Sequence, residues 1–221
     1  MWCIAKGEDA AFIAAMEDVL DLYCQPYDEA YPVVCMDEKP YQLLDEVREP
    51  IPMRPGKPRK VDAEYIRNGT CSIFVYSEPL CGWRYAHARL RRTKVDWAME
   101  IHWLLNEKYP HAKKVRLVSD NLNIHVISSL YEAFPASQAR EMAKRLEMHH
   151  TPKHGSWLNI AEIIISILAR QCLCRRIPNL DRLDIELAAW NLLSDVQPNP
   201  VDWHFTTADA RIKLKHLYPS F

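Results

Sequence analysis

The sequence predicts an α/β fold, a mixed five-stranded sheet with helices on both faces, and three observations predict it. Five short runs have the length and apolar content of strands, near 33–36, 71–76, 83–88, 115–119 and 147–151. The stretches between and after the later runs carry apolar residues at helical spacing, introduced by capping residues. The order is three consecutive strands, a helix, a strand, more helix, a strand, then helices. Consecutive strands pair as a meander, and strand–helix–strand units give parallel neighbours.

Each element has its own signal. From Glu8 to Tyr23, the residues Phe12, Ala15, Met16, Val19, Leu20 and Tyr23 form one helical face, with acids between them. Pro26 and Pro32 bound a turn. Val33-Val34-Cys35-Met36 reads as a buried strand ending at Asp37-Glu38. The segment 48–60 holds Pro50, Pro52, Pro55 and Pro58, so it is an extended, basic loop. Cys71 to Tyr76 is a second strand. Trp83 to Ala88 alternates as a half-exposed third strand does. Thr93 caps a helix over 94–108, which Tyr109-Pro110 ends. Val115 to Ser119 is the fourth strand, and short helices follow near 126–134 and 137–145. A fifth strand over 147–151 precedes helices over 158–173 and 180–193. Thr206 caps a last helix running to Leu217.

The totals set bounds. The chain has 221 residues, 48% hydrophobic and 26% charged, an ordinary globular composition with a net charge of −1. That balance excludes a basic protein that coats DNA as a whole, but it leaves local basic patches at 54–60, 84–94, 113–116 and 170–176. The 7 cysteines are odd in number and unpatterned, so they read as free thiols of a reducing cytoplasm. No secretory segment opens the sequence, and no apolar run is long enough to span a bilayer.

The chemistry-bearing residues are acids in costly places. Asp37 and Asp120 each follow an apolar run read as a central strand; if those strands are adjacent, the carboxylates converge. Glu162 lies on the apolar helix over 158–173. There Asn159, Glu162, Ser166 and Arg170 form a single polar stripe among Ile160, Ile163, Ile164, Ile167 and Leu168. Charge set near apolar surroundings needs a partner or a metal. Three carboxylates suit Mg²⁺ or Mn²⁺, which prefer oxygen ligands. Two such ions would activate a water or 3′-hydroxyl and stabilise the leaving oxygen of a phosphodiester. Glu38 is the open alternative to Asp37, because neighbours on a strand face opposite sides. A glycosidase carboxylate pair has no supporting motif. His149, His150 and His154 invite a zinc reading, without ligands at finger spacing. Glu162 paired with Arg170 is the plain structural alternative for the helix.

Three blocks carry a resemblance. Val33-Val34-Cys35-Met36-Asp37-Glu38 resembles the first acidic block of DDE-type transposases of the mariner-like bacterial insertion-sequence group, within the retroviral-integrase superfamily. Leu117-Val118-Ser119-Asp120-Asn121-Leu122-Asn123-Ile124-His125 resembles the second. Thr151-Pro152-Lys153-His154-Gly155-Ser156-Trp157-Leu158-Asn159-Ile160-Ala161-Glu162 resembles the third, and Trp203 to Lys215 resembles the family's C-terminus. The resemblance implies an RNase H-like fold with Asp37, Asp120 and Glu162 as catalytic metal ligands for Mg²⁺ or Mn²⁺. It implies cleavage at transposon ends and strand transfer into target DNA, by a homodimer assembled on DNA in the bacterial cytoplasm. Supporting roles are expected for Asn121, His125, Lys153, His154 and Asn159, with His125 and His154 touching the scissile phosphate or tuning the metal site.

The expected organisation is a leading helix and linker over 1–31 and a catalytic domain over 32–221, without the helix-turn-helix DNA-binding segment of a full transposase. Lys39-Pro40 follows the first acidic pair where a small polar residue and a lysine are expected. Ile164 stands where relatives tend to carry a second glutamate. These departures motivate an alternative, an inactive remnant that binds DNA or dimerises as a repressor. A third reading keeps the fold and changes the substrate to an RNA–DNA hybrid or a Holliday junction.

Overall fold

The computed structural model describes residues 9–219. Glu8, where the first helix reading begins, and the opening Met1-Trp2-Cys3-Ile4 lie outside the described residues. Helix α1 (Ala10–Tyr23) is capped by Asp9, whose carboxylate accepts from the Phe12 N–H at 2.9 Å. Strands β1 (Val33–Glu46), β2 (Tyr65–Glu78) and β3 (Trp83–Arg89) form the meander. Helix α2 (Lys94–Trp103) starts with a capping box between Thr93 and Asp96 and continues as a π-turn over Leu104–Lys108. Then come β4 (Val115–Ser119), α3 (Ser128–Ala133), α4 (Ala136–Arg145) and β5 (Leu146–His150). A 3₁₀ turn, Ser156–Leu158, leads into α5 (Ile160–Gln171), followed by α6 (Leu180–Val196) and α7 (Thr207–Lys213). Thr206 and Asp209 form a capping box for α7.

The five strands run in the order β3-β2-β1-β4-β5. β1 to β3 are antiparallel, while β4 is parallel to both β1 and β5. Strand alternation splits the core in two. Val33, Cys35, Ile73, Val75 and Val118 face α1, α5 and α6. Val34, Met36, Phe74, Tyr76 and Leu117 face α2, α3 and α4. The mixed sheet with helices on both faces is therefore as expected. Helix α1 shares the first of these cores through Phe12, Met16, Val19 and Leu20.

Two strands are much longer than the apolar runs that mark them. β1 does not end at Asp37-Glu38; it passes through both acids to Glu46, paired with β2 from Cys35↔Ser77 to Glu46↔Tyr65. The first six residues of β2 are exposed and the rest buried, so the apolar run marks only the half over the core. Backbone pairing carries the hairpin beyond it. Past Cys35, β1 has a neighbour on one side only, which lets it hold Pro40.

The outer edge of β3 is closed by a side chain. Asn191 of α6 accepts from the Ala86 N–H and donates to the Ala86 carbonyl, both at 2.9 Å, while Ser194 Oγ accepts from the Arg84 N–H. These groups replace a sixth strand and protect the edge.

Candidate active site at the carboxyl ends of β1 and β4

The parallel pairing of β1 with β4 covers only Val33–Cys35 and Arg116–Val118. Just past it the two strands part, and Asp37 and Asp120 follow on each side of the opening. Ligands of open α/β sheets enter at such carboxyl ends. Both acids share a parity with Cys35 and Val118, so they face α5.

Helix α5 is fastened to this opening by Asn159. Its Nδ2 donates to the Met36 carbonyl at 2.9 Å, and its Oδ1 accepts from the Ala161 N–H as the helix N-cap. The residue is 1% exposed, so it ties the start of α5 directly beside Asp37. Tyr23 reinforces the joint, donating to the Leu158 carbonyl at 2.6 Å beside the Cys35 thiol. Ahead of it, the turn from Pro152 to Gly155 closes at 2.8 Å and holds His154 at a φ of 67°. A Cβ on Gly155 would lie 2.5 Å from Pro152 Cγ, so only glycine fits without displacing the turn.

Glu162 therefore sits in the first turn of α5, on its exposed face, while Ile164 is buried in the core. An acid at position 164 would point into apolar packing. Arg170 does not pair with Glu162; its Nε donates to the Ser166 carbonyl at 3.2 Å.

The three carboxylates feel one another. Asp37 is pushed up to about 7, first by burial and then by the charges of Glu162, Glu38 and Asp120, against the pull of the Glu38 backbone N–H. Glu162 is raised by burial and by the charge of Asp120. Among the described residues, no lysine or arginine pairs with Asp37 or Glu162. Nor do three His, Cys, Asp or Glu side chains already stand close enough together to hold a metal ion. The carboxylates are electrostatically coupled across the opening without forming a ready-made cluster. The donor set is wholly oxygen and acidic, which fits a hard divalent cation such as Mg²⁺ or Mn²⁺.

Glu38 is not the inward acid. It lies 6% exposed on the opposite face of β1, where its Oε1 is 2.7 Å from His125 Nε2. His125 Nδ1 is 2.7 Å from Asp120 Oδ1 and 3.2 Å from the Asp120 carbonyl. Burial alone would lower the imidazole, but its pairing with Asp120 and Glu38 pushes it up to about 10, so it is protonated at neutral pH. With no exposed surface, His125 cannot touch a phosphate. The pairing of Glu38 with His125 was hidden in the sequence, and its only signal is the acid pair whose second member must face away from the site.

The remaining candidates separate. Asn121, Lys153 and His154 are exposed around the opening. His150 Nδ1 lies 3.3 Å from the Asp120 carbonyl, and His149 pairs with Asp18 and Glu147, which breaks up the zinc reading. Trp103 stacks on Tyr85, both partly buried against the core on the α2 side of the sheet. Lys39, on the Asp37 face of β1, lines a cavity of about 650 Å³ with Tyr41, Arg59, Arg175 and Arg176. Glu46 also lines it and pairs with Arg176, while Arg175 pairs with Glu186, so Lys39 and Arg59 are the lining cations without an acidic partner among the described residues.

The model of a family described as DDE superfamily endonuclease matches residues 32–184. Comparison with curated proteins gives no match. The mariner Mos1 paired end complex with Mg is similar over 100% of this chain and 66% of that one, at 14% identity and a TM-score of 0.59. The Mos1 transposase paired-end complex with left transposon end covers 87% and 59%, at 13% identity and a TM-score of 0.55. The Mos1 strand transfer complex covers 82% and 53%, at 13% identity and a TM-score of 0.54. The chain thus spans less than two thirds of each of these proteins, and what the likeness establishes is an RNase H-like fold.

Proposed function

The chain belongs to the DDE superfamily endonucleases, and from that premise we propose that it is the catalytic part of a mariner-like transposase. In this reading Asp37, Asp120 and Glu162 hold two divalent cations, Mg²⁺ or Mn²⁺, for cleavage of DNA at transposon ends and strand transfer into a target. One observation carries it. Asp37 is pushed up to about 7 and Glu162 is raised, in both by burial first and then by acidic neighbours, and among the described residues no lysine or arginine pairs with either. Repelled carboxylates are relieved either by protonation or by a bound cation, and a divalent cation at neutral pH is the relief this reading assigns.

Bound there, the cations supply Lewis-acid stabilisation of the phosphoryl oxygens and a nucleophile at neutral pH. The chain's own residues do the positioning. Asn159 fixes the distance between the Asp37 strand and the Glu162 helix. Lys39 and Arg59 line the neighbouring cleft and hold the DNA backbone through its phosphates, while Arg175 and Arg176 are tied to Glu186 and Glu46. Lys153 and His154, exposed on the turn before α5, contact the strand being cut. DNA is the partner, as it is in the Mos1 paired-end and strand transfer complexes. The working form is a homodimer on paired ends, in the bacterial cytoplasm at the nucleoid. Among the described residues no helix is long and apolar enough to cross a membrane. In domain terms, 32–221 is the catalytic unit and 1–31 its leading segment.

The test is Mn²⁺-dependent nicking and strand transfer on transposon-end DNA. Asp120→Ala should lose activity by roughly 10²–10³-fold, as removal of a group worth several kcal/mol of transition-state stabilisation implies. Equal activity in the mutant, or activity without divalent metal, contradicts the assignment. A folded chain with no metal-dependent cleavage returns the inactive-remnant reading.

A further inference from the structure

Glu38 and His125 are a poor bargain for stability. Both side chains are fully buried. Glu38 sits opposite Phe74 in the sheet register, and the His125 ring lies 6.0 Å from Trp97. The second carboxylate oxygen, Oε2, is buried without a hydrogen-bond partner. A buried ion with an unsatisfied oxygen costs free energy, and well-packed apolar residues would serve such a core better. The pair is arranged toward something else, and its geometry shows what. Glu38 Oε1 holds His125 Nε2 at 2.7 Å, and His125 Nδ1 reaches both the carboxylate and the carbonyl of Asp120. The chain of contacts runs through the sheet, from one face of β1 to the carboxylate on the other side of the opening.

We propose that Glu38 is a positioning residue, which acts through His125 to fix the orientation of the Asp120 carboxylate for cation binding. The inference rests on Asp120 being a metal ligand, as proposed above. Asp120 Oδ1 is buried against the imidazole, an ion-pair contact at 2.7 Å without hydrogen-bond geometry, while Nδ1 makes its hydrogen bond to the Asp120 carbonyl. The backbone is held as well, because the Asp120 carbonyl also lies within 3.3 Å of His150 Nδ1. Without Glu38, the imidazole is free to turn about its ring axis and Asp120 loses its fixed rotamer. Asp37 and Glu162 need no such device, being placed by β1 and by the Asn159 cap.

The experiment titrates Mn²⁺ into the 221-residue chain and reads free ion by electron paramagnetic resonance. It compares wild type, Asp120→Ala, Glu38→Ala and Glu38→Gln, with circular dichroism of each metal-free protein as the fold control. Loss of an outer-shell partner typically weakens metal affinity roughly 10–100-fold. Glu38→Ala should show a loss of that size, and Glu38→Gln, which keeps an oxygen for His125 Nε2, should recover most of it. If Glu38→Ala does not fold, the double variant Glu38→Met/His125→Leu removes both buried charges together and should show the same loss. Wild-type affinity in folded Glu38→Ala, or in the double variant, overturns the positioning role while Asp120→Ala still abolishes binding. Undiminished binding in Asp120→Ala overturns the ligand assignment and this inference with it.

Discussion

Two acids, one on helix α2 and one on strand β1, are treated in opposite ways. Glu100, on α2, is 1% exposed and fully partnered: Tyr76 OH donates at 2.7 Å, His87 Nδ1 lies at 2.9 Å, and Arg89 Nε donates to the same carboxylate. Burial would raise its pKa, but these hydrogen bonds and charges more than offset it and hold Glu100 below its ordinary value. Asp37, on β1, receives one backbone N–H, faces three other acids and is pushed up to about 7. The fold can satisfy a buried carboxylate and does so at Glu100. Among the described residues it leaves Asp37 and Glu162 without a cationic side chain, which is the arrangement the proposed cation site needs.

If that contrast is sound, substitutions at the two places should move stability and activity in opposite senses. The largest stability effect is expected at Glu100. Glu100→Ala strips the partners from Arg89 and Tyr76 and should cost about 3–5 kcal/mol in denaturant unfolding, with DNA cleavage affected only through folding. The pH dependence has a definite sign. A carboxylate lowered in the folded state contributes stability above its unfolded pKa and loses it as pH falls through the folded value. Glu100→Gln should therefore flatten the acid limb of the stability curve, and an unchanged limb would show that the cluster is not ionised as described.

Asp37→Asn should do the reverse. Removing a repelled, half-buried charge should stabilise the metal-free protein at pH 8 by on the order of 2 kcal/mol, while cleavage is lost. Destabilisation in urea would blur the contrast. Asn159→Ala comes next, with loss of the α5 cap and of the tie to Met36. It should cost about 1 kcal/mol of stability and a larger fraction of activity than of stability, because Glu162 is no longer registered against Asp37. Arg170→Ala, at a residue bonded only within its own helix, should leave stability within about 0.5 kcal/mol and metal affinity unchanged.

Much of this was legible in the sequence. β4 is found with the bounds its apolar run marks, and the caps at Thr93 and Thr206 are in place, because local chemistry decides such features. The exposed halves of β1 and β2 were not legible, since hydrogen bonding between them, and not burial, keeps those residues extended. The polar stripe on α5 correctly separates Glu162 from Ile164, although its first member, Asn159, is buried as a structural tie and not exposed with the others. His125 follows the same pattern. Its spacing from Asp120 is visible, but its burial and its link to Glu38 depend on how β1 and the segment after β4 meet, 87 residues apart in sequence.

The central proposal is that Asp37, Asp120 and Glu162 bind a divalent cation together. The most direct measurement is the unfolding midpoint of the metal-free chain against its midpoint with Mn²⁺, for wild type, Asp37→Asn, Asp120→Ala and Glu162→Gln. A ligand that binds only the folded state at about 100 times its dissociation constant adds about 2.7 kcal/mol. The account predicts a clear rise in midpoint for wild type and little or none in each of the three variants. The same rise in all four proteins, or none in any, would contradict it.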